Sequence, residues 1–379
     1  MDFKLEDEHL MVKDLARKFV LKYVEPIAKE IDLEARYPSE NIRKAGEIGI
    51  MGIFIPQEYG GGGLDTISYA IMLEEIACVC ASTAIIISAN SSLACYPLYK
   101  FGNERQKKRY LVPLASGEKL GAFGLTEPGA GTDAAAQKTA AQKKGEYYLI
   151  NGSKVFITNG PVADTFIIFA VTDKEQGLKG LSAFIVEKGM EGFSIGSIED
   201  TMGIRASQQS ELIFQDLKVP KENLLGKEGE GFLIAMQTLD CGRIGVAAQA
   251  LGIAQGALDK SVQYAKERVQ FGKPIGKFQA ISFMLADMET RVQAARYLVY
   301  AAAFAKDSKE DYSKEAAMAK LFASETAVDV TTKAIQIYGG YGYTRDYLVE
   351  RYFRDAKITE IYEGTSEVQK MVIAKSLGL

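Results

Sequence analysis

Apolar side chains recur at helical spacing through most of the first 120 residues and again from about residue 230 onward. Such a period predicts helices with one apolar face each. In the first helix the face comprises Leu10, Met11, Leu15, Phe19, Val20, Tyr23 and Val24. Pro26 should interrupt this helix, and the glycine-rich stretch 56–63 (PQEYGGGG) predicts a loop.

Between these helical parts, the pattern changes to short apolar runs separated by turn residues. The runs cover residues 147–150, 155–157, 166–171, 181–186, 193–195 and 212–214. Asn151-Gly152, between the first two runs, predicts a hairpin with a two-residue type I′ turn. Strands that follow one another without helices favour an antiparallel sheet or barrel.

Three long segments then predict helices that can pack side by side, at 231–268, 277–306 and 313–338. Small residues in the first of them indicate close contact between helices. The sequence thus predicts a mixed α and β fold with an N-terminal helical domain (1–120), a middle antiparallel β domain (121–229) and a C-terminal helical bundle (230–379).

The composition narrows the possible functions. The chain has 379 residues, of which 47% are apolar and 25% charged, as in ordinary globular proteins. A net charge of −4 points to no nucleic-acid or anionic-membrane partner. No apolar run approaches the ~18 residues of a membrane span, and the acidic stretch 1–10 is unlike a signal peptide. We therefore expect a cytoplasmic protein without membrane insertion.

The few histidines and cysteines exclude several kinds of catalytic site. His9 is the single histidine, so Ser-His-Asp, Cys-His and histidine-based zinc chemistry would all depend on it. We expect it at the surface or edge of the first helix. Cys78, Cys80, Cys95 and Cys241 lack metal-ligand spacing and should be reduced and buried. No metal site is expected, and proton transfer would need a carboxylate, Lys or Tyr.

Two segments of the β part could contact a ligand. The stretch 123–133 (FGLTEPGAGTD) could offer backbone N–H groups and hydroxyls, although an ordinary interdomain loop explains it equally well. The stretch 156–160 (FITNG) offers an aromatic face and a hydroxyl, which suit a flat ring; a buried strand ending in a turn is the plain alternative. No strand–GxGxxG–helix pattern indicates a Rossmann site.

Two further segments carry charged candidates. Arg268, in the stretch RVQFGKP between two helices, could clamp a phosphate or simply cap a helix C-terminus. Glu363 follows Ile361 and Tyr362 and precedes Gly364. Apolar surroundings would raise the pKa of this carboxyl, as a base near neutral pH requires, whereas a loop carboxylate before a capped helix is the alternative.

Taken together, these segments resemble the acyl-CoA dehydrogenase family, and most closely its short-chain (butyryl-CoA) branch. The resemblance covers the whole chain and rests on LTEPGAGTD (125–133), ITNG (157–160), RVQFG (268–272), QIYGGYG (336–342) and IYEGT (361–365). It implies a helical domain, a β domain and a C-terminal four-helix bundle, in that order. It also implies a homotetramer and a bound FAD, whose site a neighbouring subunit completes.

The resemblance assigns roles to individual residues. Those expected to bind FAD within one chain are Phe123, Leu125, Thr126, Thr132, Phe156, Thr158, Thr365 and Glu367. Those expected to reach a neighbouring subunit's FAD are Arg268, Phe271, Gln279, Gln336, Gly339 and Gly340. Those expected at the acyl-CoA substrate are Thr132, Asp240, Arg243, Tyr362 and Gly364. Many relatives have Trp where this chain has Phe156, which leaves packing but alters the flavin environment.

Glu363 is the catalytic base that the resemblance implies. Isovaleryl and long-chain branches place the base at the position of Gly242, where glycine cannot serve. The implied reaction oxidises a short-chain acyl-CoA to a trans-2-enoyl-CoA and passes electrons to an electron-transferring flavoprotein.

Four alternatives stay open. They are an enoyl-CoA reductase in an electron-bifurcating flavoprotein complex, an acyl-CoA oxidase, a non-catalytic flavin- or CoA-binding relative, and a glutaryl-CoA dehydrogenase. The last is disfavoured because residues 88–93 (SANSSL) include no basic side chain.

Overall fold

The computed structural model describes residues 4–309 and 311–379, so the first three residues of the acidic N-terminal stretch lie outside it. The N-terminal part is helical. Its helices are α1 (Asp7–Phe19), α2 (Ala28–Leu33), α3 (Ser39–Glu47), α4 (Thr66–Ala77), α5 (Ala81–Ser88), α6 (Tyr96–Phe101), α7 (Glu104–Gln106) and α8 (Val112–Ala115). Wider π-helical turns at Val20–Val24, Ala89–Cys95 and Lys107–Leu111 continue some of them.

The apolar face predicted for α1 is wrong in its first half. Leu10, Met11 and Leu15 are exposed by 48%, 73% and 40%. The buried side of α1 consists instead of His9, Val12, Ala16 and Phe19. Val12, Ala16 and Phe19 pack in the main core, and on the polar side Arg17 donates to Glu75 of α4 at 3.1 Å.

His9 is buried, contrary to the surface or edge position expected for it. Its Nδ1 accepts a hydrogen bond from the backbone N–H of Glu6, and its Nε2 lies 2.8 Å from Oδ2 of Asp65. Asp65 also caps the N-terminus of α4 by accepting from the N–H of Ser68. A satisfied polar side chain can be buried, and here it joins two helices.

The middle part is an eight-stranded sheet. Its strands are β1 (Gly121–Gly124), β2 (Ala140–Lys144), β3 (Tyr147–Thr158), β4 (Thr165–Val171), β5 (Leu181–Glu187), β6 (Phe193–Ile198), β7 (Gln209–Pro220) and β8 (Leu224–Leu225). They lie in the order β6-β7-β3-β2-β4-β5-β8, with β1 beside β4. The pairs are antiparallel, as predicted, except that β1 and β2 run parallel to β4.

The predicted hairpin turn at Asn151-Gly152 is wrong, because both residues lie inside the continuous strand β3. The turn that precedes β3 is Gly145-Glu146, flanked by the paired residues Lys144 and Tyr147. At Gly152 the pairing of β3 with β7 shifts by a residue. A Cβ there would overlap Thr139, so this glycine serves a bulge rather than a turn.

The C-terminal part is a helical bundle, as predicted. Its helices are α9 (Gly231–Glu267), α10 (Gln279–Ser308), α11 (Ser313–Tyr338), α12 (Val349–Thr359) and α13 (Ser366–Ser376), with a small ribbon of β9 (Val269–Gln270) and β10 (Lys273–Pro274). α9 packs against α4, α10, α11 and α12. Side chains at Gly252 and Gly256 would collide with the backbone carbonyls of Glu74 and Cys78, so these glycines permit close helix contact.

The cysteines are free thiols, and Cys80, Cys95 and Cys241 are buried as expected, whereas Cys78 is half-buried. Burial raises the pKa of Cys241 to about 12. Within residues 4–309 and 311–379, no cluster of three or more His, Cys, Asp or Glu side chains could hold a metal ion. No helix in the described residues is long and apolar enough to cross a membrane.

Candidate active site

The loop between α12 and α13 carries Glu363 in an unusual backbone conformation. Glu363 and Gly364 both lie in the left-handed region, with φ of 53° and 96°. This region is unfavourable for a residue with a side chain and is found where surrounding contacts enforce it. Here Gln369 of α13 donates to the Gly364 carbonyl at 2.7 Å, and Thr365 caps α13 by accepting from the N–H of Val368.

The carboxylate of Glu363 points into the protein. Its Oε2 is buried and has no hydrogen-bond partner among the described residues. The atom lies against Gly242 of α9, where a Cβ would collide with it, and Leu93 borders the same space. Burial raises the pKa of Glu363 to about 7, although Lys320 and Arg243 lower it in part. A carboxyl with this pKa and a free oxygen can act as a base near neutral pH.

Arg243 and Asp240 form a buried ion pair on α9 next to this carboxylate. Ser313 donates a hydrogen bond to the other oxygen of Asp240. The Nε of Arg243 is buried and unpartnered among the described residues, so the guanidinium keeps one donor for a ligand. The structure therefore brings these two predicted substrate residues to the base.

Tyr362 contacts the protein itself. Its hydroxyl donates to the side-chain oxygen of Gln249 on α9, whose amide in turn donates to the Ala81 carbonyl at 2.9 Å. Burial raises the pKa of this phenol well above its usual value. Tyr362 thus anchors the loop on the bundle, and its predicted contact with substrate remains a prediction.

A second group of predicted residues lies on the β domain. Phe123 packs edge-on against Phe169, and Leu125 is buried. Glu127 fixes the loop between them and β2, because its buried carboxylate accepts from the backbone N–H groups of Lys138 at 2.7 Å and Thr139 at 3.0 Å.

Lys154 completes this arrangement, although its sequence pattern did not predict a functional role. The side chain is 0% exposed, and its Nζ donates to Glu127 at 2.8 Å and to the Leu125 carbonyl at 3.2 Å. Burial lowers the pKa of Lys154 to about 8. A lysine directly before the apolar run 155–157 was the available signal, but its partner could not be identified from sequence.

The residues around this loop fit a flat cofactor with phosphates. Phe156 lies at a bulge of β3, with φ of 59° and a ring that is 64% exposed. Thr126 and Thr158 are half-buried, and nothing lies within 4 Å of a Cβ placed on Gly129 or Gly131. An available aromatic face, hydroxyls and open backbone N–H groups are the contacts that FAD uses. Thr132 is exposed on the same loop.

The third group lies on the surface of the bundle. Phe271, at the tip of the β9–β10 ribbon, is 93% exposed, and the Arg268 guanidinium lies 5.4 Å from the Tyr341 ring centroid. The other members are exposed at the ends of α10 and α11: Gln279, Gln336, Gly339 and Gly340. Thr365 is half-buried and Glu367 exposed at the start of α13. Thr365 and Glu367 thus follow Glu363 closely in the chain, whereas the other members of the group lie at exposed ends of other helices and on the β9–β10 ribbon.

Three family models cover nearly the whole chain. They are the acyl-CoA dehydrogenase N-terminal domain at residues 6–118, the middle domain at 122–217 and the C-terminal domain at 229–378. The chain is 58% identical over 374 residues to the short-chain specific acyl-CoA dehydrogenase of Clostridium acetobutylicum, covering 99% of both chains.

Solved structures of this family have the same fold as the chain. Butyryl-CoA dehydrogenase from Megasphaera elsdenii superimposes with a TM-score of 0.98 at 53% identity, with 100% of both chains covered. A chain from a structural study of the electron transferring flavoprotein of Acidaminococcus fermentans and flavin-based electron bifurcation gives a TM-score of 0.99 at 58% identity, covering 100% of this chain and 99% of the other. The chain therefore belongs to the acyl-CoA dehydrogenase family.

Proposed function

We propose that this protein is an FAD-dependent short-chain acyl-CoA dehydrogenase that forms a trans-2-enoyl-CoA and passes electrons to an electron-transferring flavoprotein. The observation that carries the proposal is the Glu363 carboxylate, whose Oε2 is buried and unpartnered and whose pKa is raised to about 7. A carboxylate kept without partners inside a protein is costly. Such a cost is expected where the group performs chemistry.

The chain's own residues account for the proton transfer. Glu363 removes the α-proton of the thioester, and its free Oε2 is the atom that accepts it. The positive charges of Lys320 and Arg243 favour the ionised form that this step needs. Bound FAD supplies the acceptor for the β-hydrogen, which leaves as hydride.

Gly242 and Glu363 together identify which arrangement of the base applies. Because a Cβ at Gly242 would collide with the Glu363 carboxylate, the two positions cannot both carry large side chains in this conformation. Glycine at position 242 therefore leaves the space that the Glu363 side chain occupies. This supports the short-chain arrangement over those with the base on α9.

The segment 88–93 supports an apolar acyl group. It is entirely buried, and its polar side chains bond within the protein. Asn90 donates to the carbonyls of Met51 and Leu114, and Ser91 donates to that of Met51. No basic side chain in this segment could pair with a distal carboxylate, which disfavours glutaryl-CoA.

The test is the visible spectrum of the purified protein, recorded without oxygen before and after adding butyryl-CoA. Bleaching of the oxidised flavin bands is the expected result. Glu363→Gln is the matched control, since it should keep FAD and bind butyryl-CoA without bleaching. Bleaching by that variant at the wild-type rate would refute the assignment of the base, and absence of flavin would refute the cofactor.

The reverse reaction is the second candidate, favoured by the similarity to the chain studied with flavin-based electron bifurcation. In that case the protein reduces an enoyl-CoA with electrons from a flavoprotein partner. Crotonyl-CoA reduction in the presence of NADH and the partner flavoprotein, compared with butyryl-CoA oxidation by the same mixture, distinguishes the two directions.

The exposed third group supports a homotetramer in which one subunit completes another's FAD site. Phe271 is 93% exposed, so its ring is available to a neighbouring subunit. Size-exclusion chromatography with light scattering tests this assembly.

A further inference from the structure

Lys320, in the middle of α11, is completely buried at the loop that carries the base. Its exposed fraction is 0%, and its Nζ donates to the carbonyl oxygen of Gly364 at 2.7 Å. An ammonium group has three donors, and burying its charge is costly unless nearby groups compensate. The position therefore needs a reason beyond packing.

The backbone of the loop supplies the first part of that reason. The Gly364 carbonyl accepts from Lys320 on one side and from Gln369 on the other, both at 2.7 Å. These donors come from α11 and α13, so the two helices hold one peptide between them. That peptide follows Glu363 and Gly364, whose φ angles of 53° and 96° need such restraint.

The charges around the carboxylate supply the second part. Burial lowers the pKa of Lys320 to about 8, while attraction to Glu363 opposes this change. Burial raises the pKa of Glu363 to about 7, and Lys320 opposes that change more than any other charge. Each ion thus stabilises the other inside the protein.

We propose that Lys320 is a positioning residue for Glu363, holding the left-handed turn through the Gly364 carbonyl and placing a positive charge beside the base. The inference rests on the proposed function, in which Glu363 removes the α-proton. Lys320 itself is assigned no contact with substrate or cofactor.

The other groups that act on Glu363 cannot replace this charge. They come from three further elements: Arg243 and Cys241 of α9, Tyr69 of α4 and Tyr362 of the loop. Burial raises the pKa of the thiol and of both phenols, which keeps them neutral near pH 7. Arg243 is charged but paired with Asp240.

The experiment compares Lys320→Met and Lys320→Gln, which remove the charge, with Lys320→Arg, which keeps it. For each protein, kcat/KM with butyryl-CoA is measured from pH 6 to 9, because this profile reports the base of the free enzyme. Flavin content and the thermal midpoint are recorded in parallel.

The uncharged variants should shift the midpoint of the profile upward by about one pH unit. With a wild-type midpoint near the pKa of about 7, this is a loss of about fivefold at pH 7 that largely disappears at pH 9. Lys320→Arg should restore the midpoint. A loss of activity that is equal at every pH would indicate a merely structural role and overturn the proposal, as would an unchanged profile.

If Lys320→Met yields no flavin-containing protein, Lys320→Gln carries the same comparison. A second measurement is independent of turnover: the thermal midpoints of wild type, Lys320→Gln, Glu363→Gln and the double variant form a cycle at pH 8. Coupling between the two positions is expected, and additive effects would refute it. The cycle could show coupling while butyryl-CoA leaves the flavin of the wild-type protein oxidised. That result would refute the proposed function and not the interaction between Lys320 and Glu363.

Discussion

Replacing Glu363 by Gln should abolish turnover and make the protein more stable at alkaline pH. The buried carboxyl has a pKa of about 7 in the folded protein, against 4.5 for its ordinary value. Its folded-state pKa is raised, so its contribution to stability is fully present below pH 4.5 and is lost as the pH rises through 7. Glutamine does not titrate and should lose nothing over this range.

The size of the effect follows from the pKa difference. One pKa unit corresponds to about 1.4 kcal/mol, so ionised Glu363 costs about 3 kcal/mol at pH 8, relative to acidic pH. Unfolding entropy near 2.1 cal/mol/K per residue gives about 0.8 kcal/mol/K for 379 residues. Part of this loss has already occurred at pH 5, so about 2.5 kcal/mol falls between pH 5 and pH 8. The melting midpoint of Glu363→Gln relative to wild type should therefore rise by about 3 °C over that range.

Thermal unfolding of both proteins, followed by circular dichroism at pH 5 and pH 8, measures this difference. Glu118→Gln is the control, because Glu118 is an exposed carboxylate and its removal should give the same small effect at both pH values. A melting difference between Glu363→Gln and wild type that does not change with pH would refute the claim that burial raises the pKa of the base.

Three further results are expected. Gly242→Ala, whose Cβ would collide with the Glu363 carboxylate, should keep FAD but slow flavin reduction by more than about tenfold, as measured by stopped-flow absorbance. Lys154→Met leaves Glu127 buried without its ion-pair partner and should lower the free energy of unfolding by about 3–5 kcal/mol. Urea unfolding measures this loss, and FAD retention is recorded with it. Adding Glu127→Gln to the same chain should recover part of the loss. Phe271→Ala should leave the folding of the subunit intact, since the ring is 93% exposed, but should weaken FAD retention. Retention equal to that of the wild type would contradict the prediction that Phe271 contacts a neighbouring subunit's FAD.

Sequence patterns predicted the helices and strands whose hydrophobic pattern lies within the element itself and extends over many residues. The segments 231–268 and 313–338 became α9 and α11 within a residue, because a helical period sustained over many turns leaves few alternatives. The β runs were also found, since apolar runs bounded by turn residues are recognisable one by one.

The failures concern residues whose role is decided by distant partners. Asn151-Gly152 has the chemistry of a hairpin turn, but pairing with β7 and contact with Thr139 make it part of a bulge. His9 is buried because Asp65, far along the chain, lies within hydrogen-bond distance of its ring Nε2. Neither partner can be read from the residues nearby.

The site itself shows the same division. The sequence indicated an apolar setting for Glu363 from Ile361 and Tyr362, yet Ile361 is exposed by 48%. The burial that raises the pKa comes instead from α9, where Gly242 leaves room for the carboxylate. The carboxyl is therefore desolvated, as predicted, but the residues that desolvate it belong to another helix; its role as the base stays a prediction.

Two lysines that the sequence analysis overlooked serve the two functional loops in the same way. Lys154 donates to the Leu125 carbonyl in the loop predicted to bind FAD, and Lys320 donates to the Gly364 carbonyl beside Glu363, the proposed base. Both are 0% exposed, and burial lowers the pKa of each to about 8. A buried ammonium costs stability, but each of these two holds a loop through a hydrogen bond to a backbone carbonyl. Sites that must be preorganised before substrate arrives gain from such an arrangement.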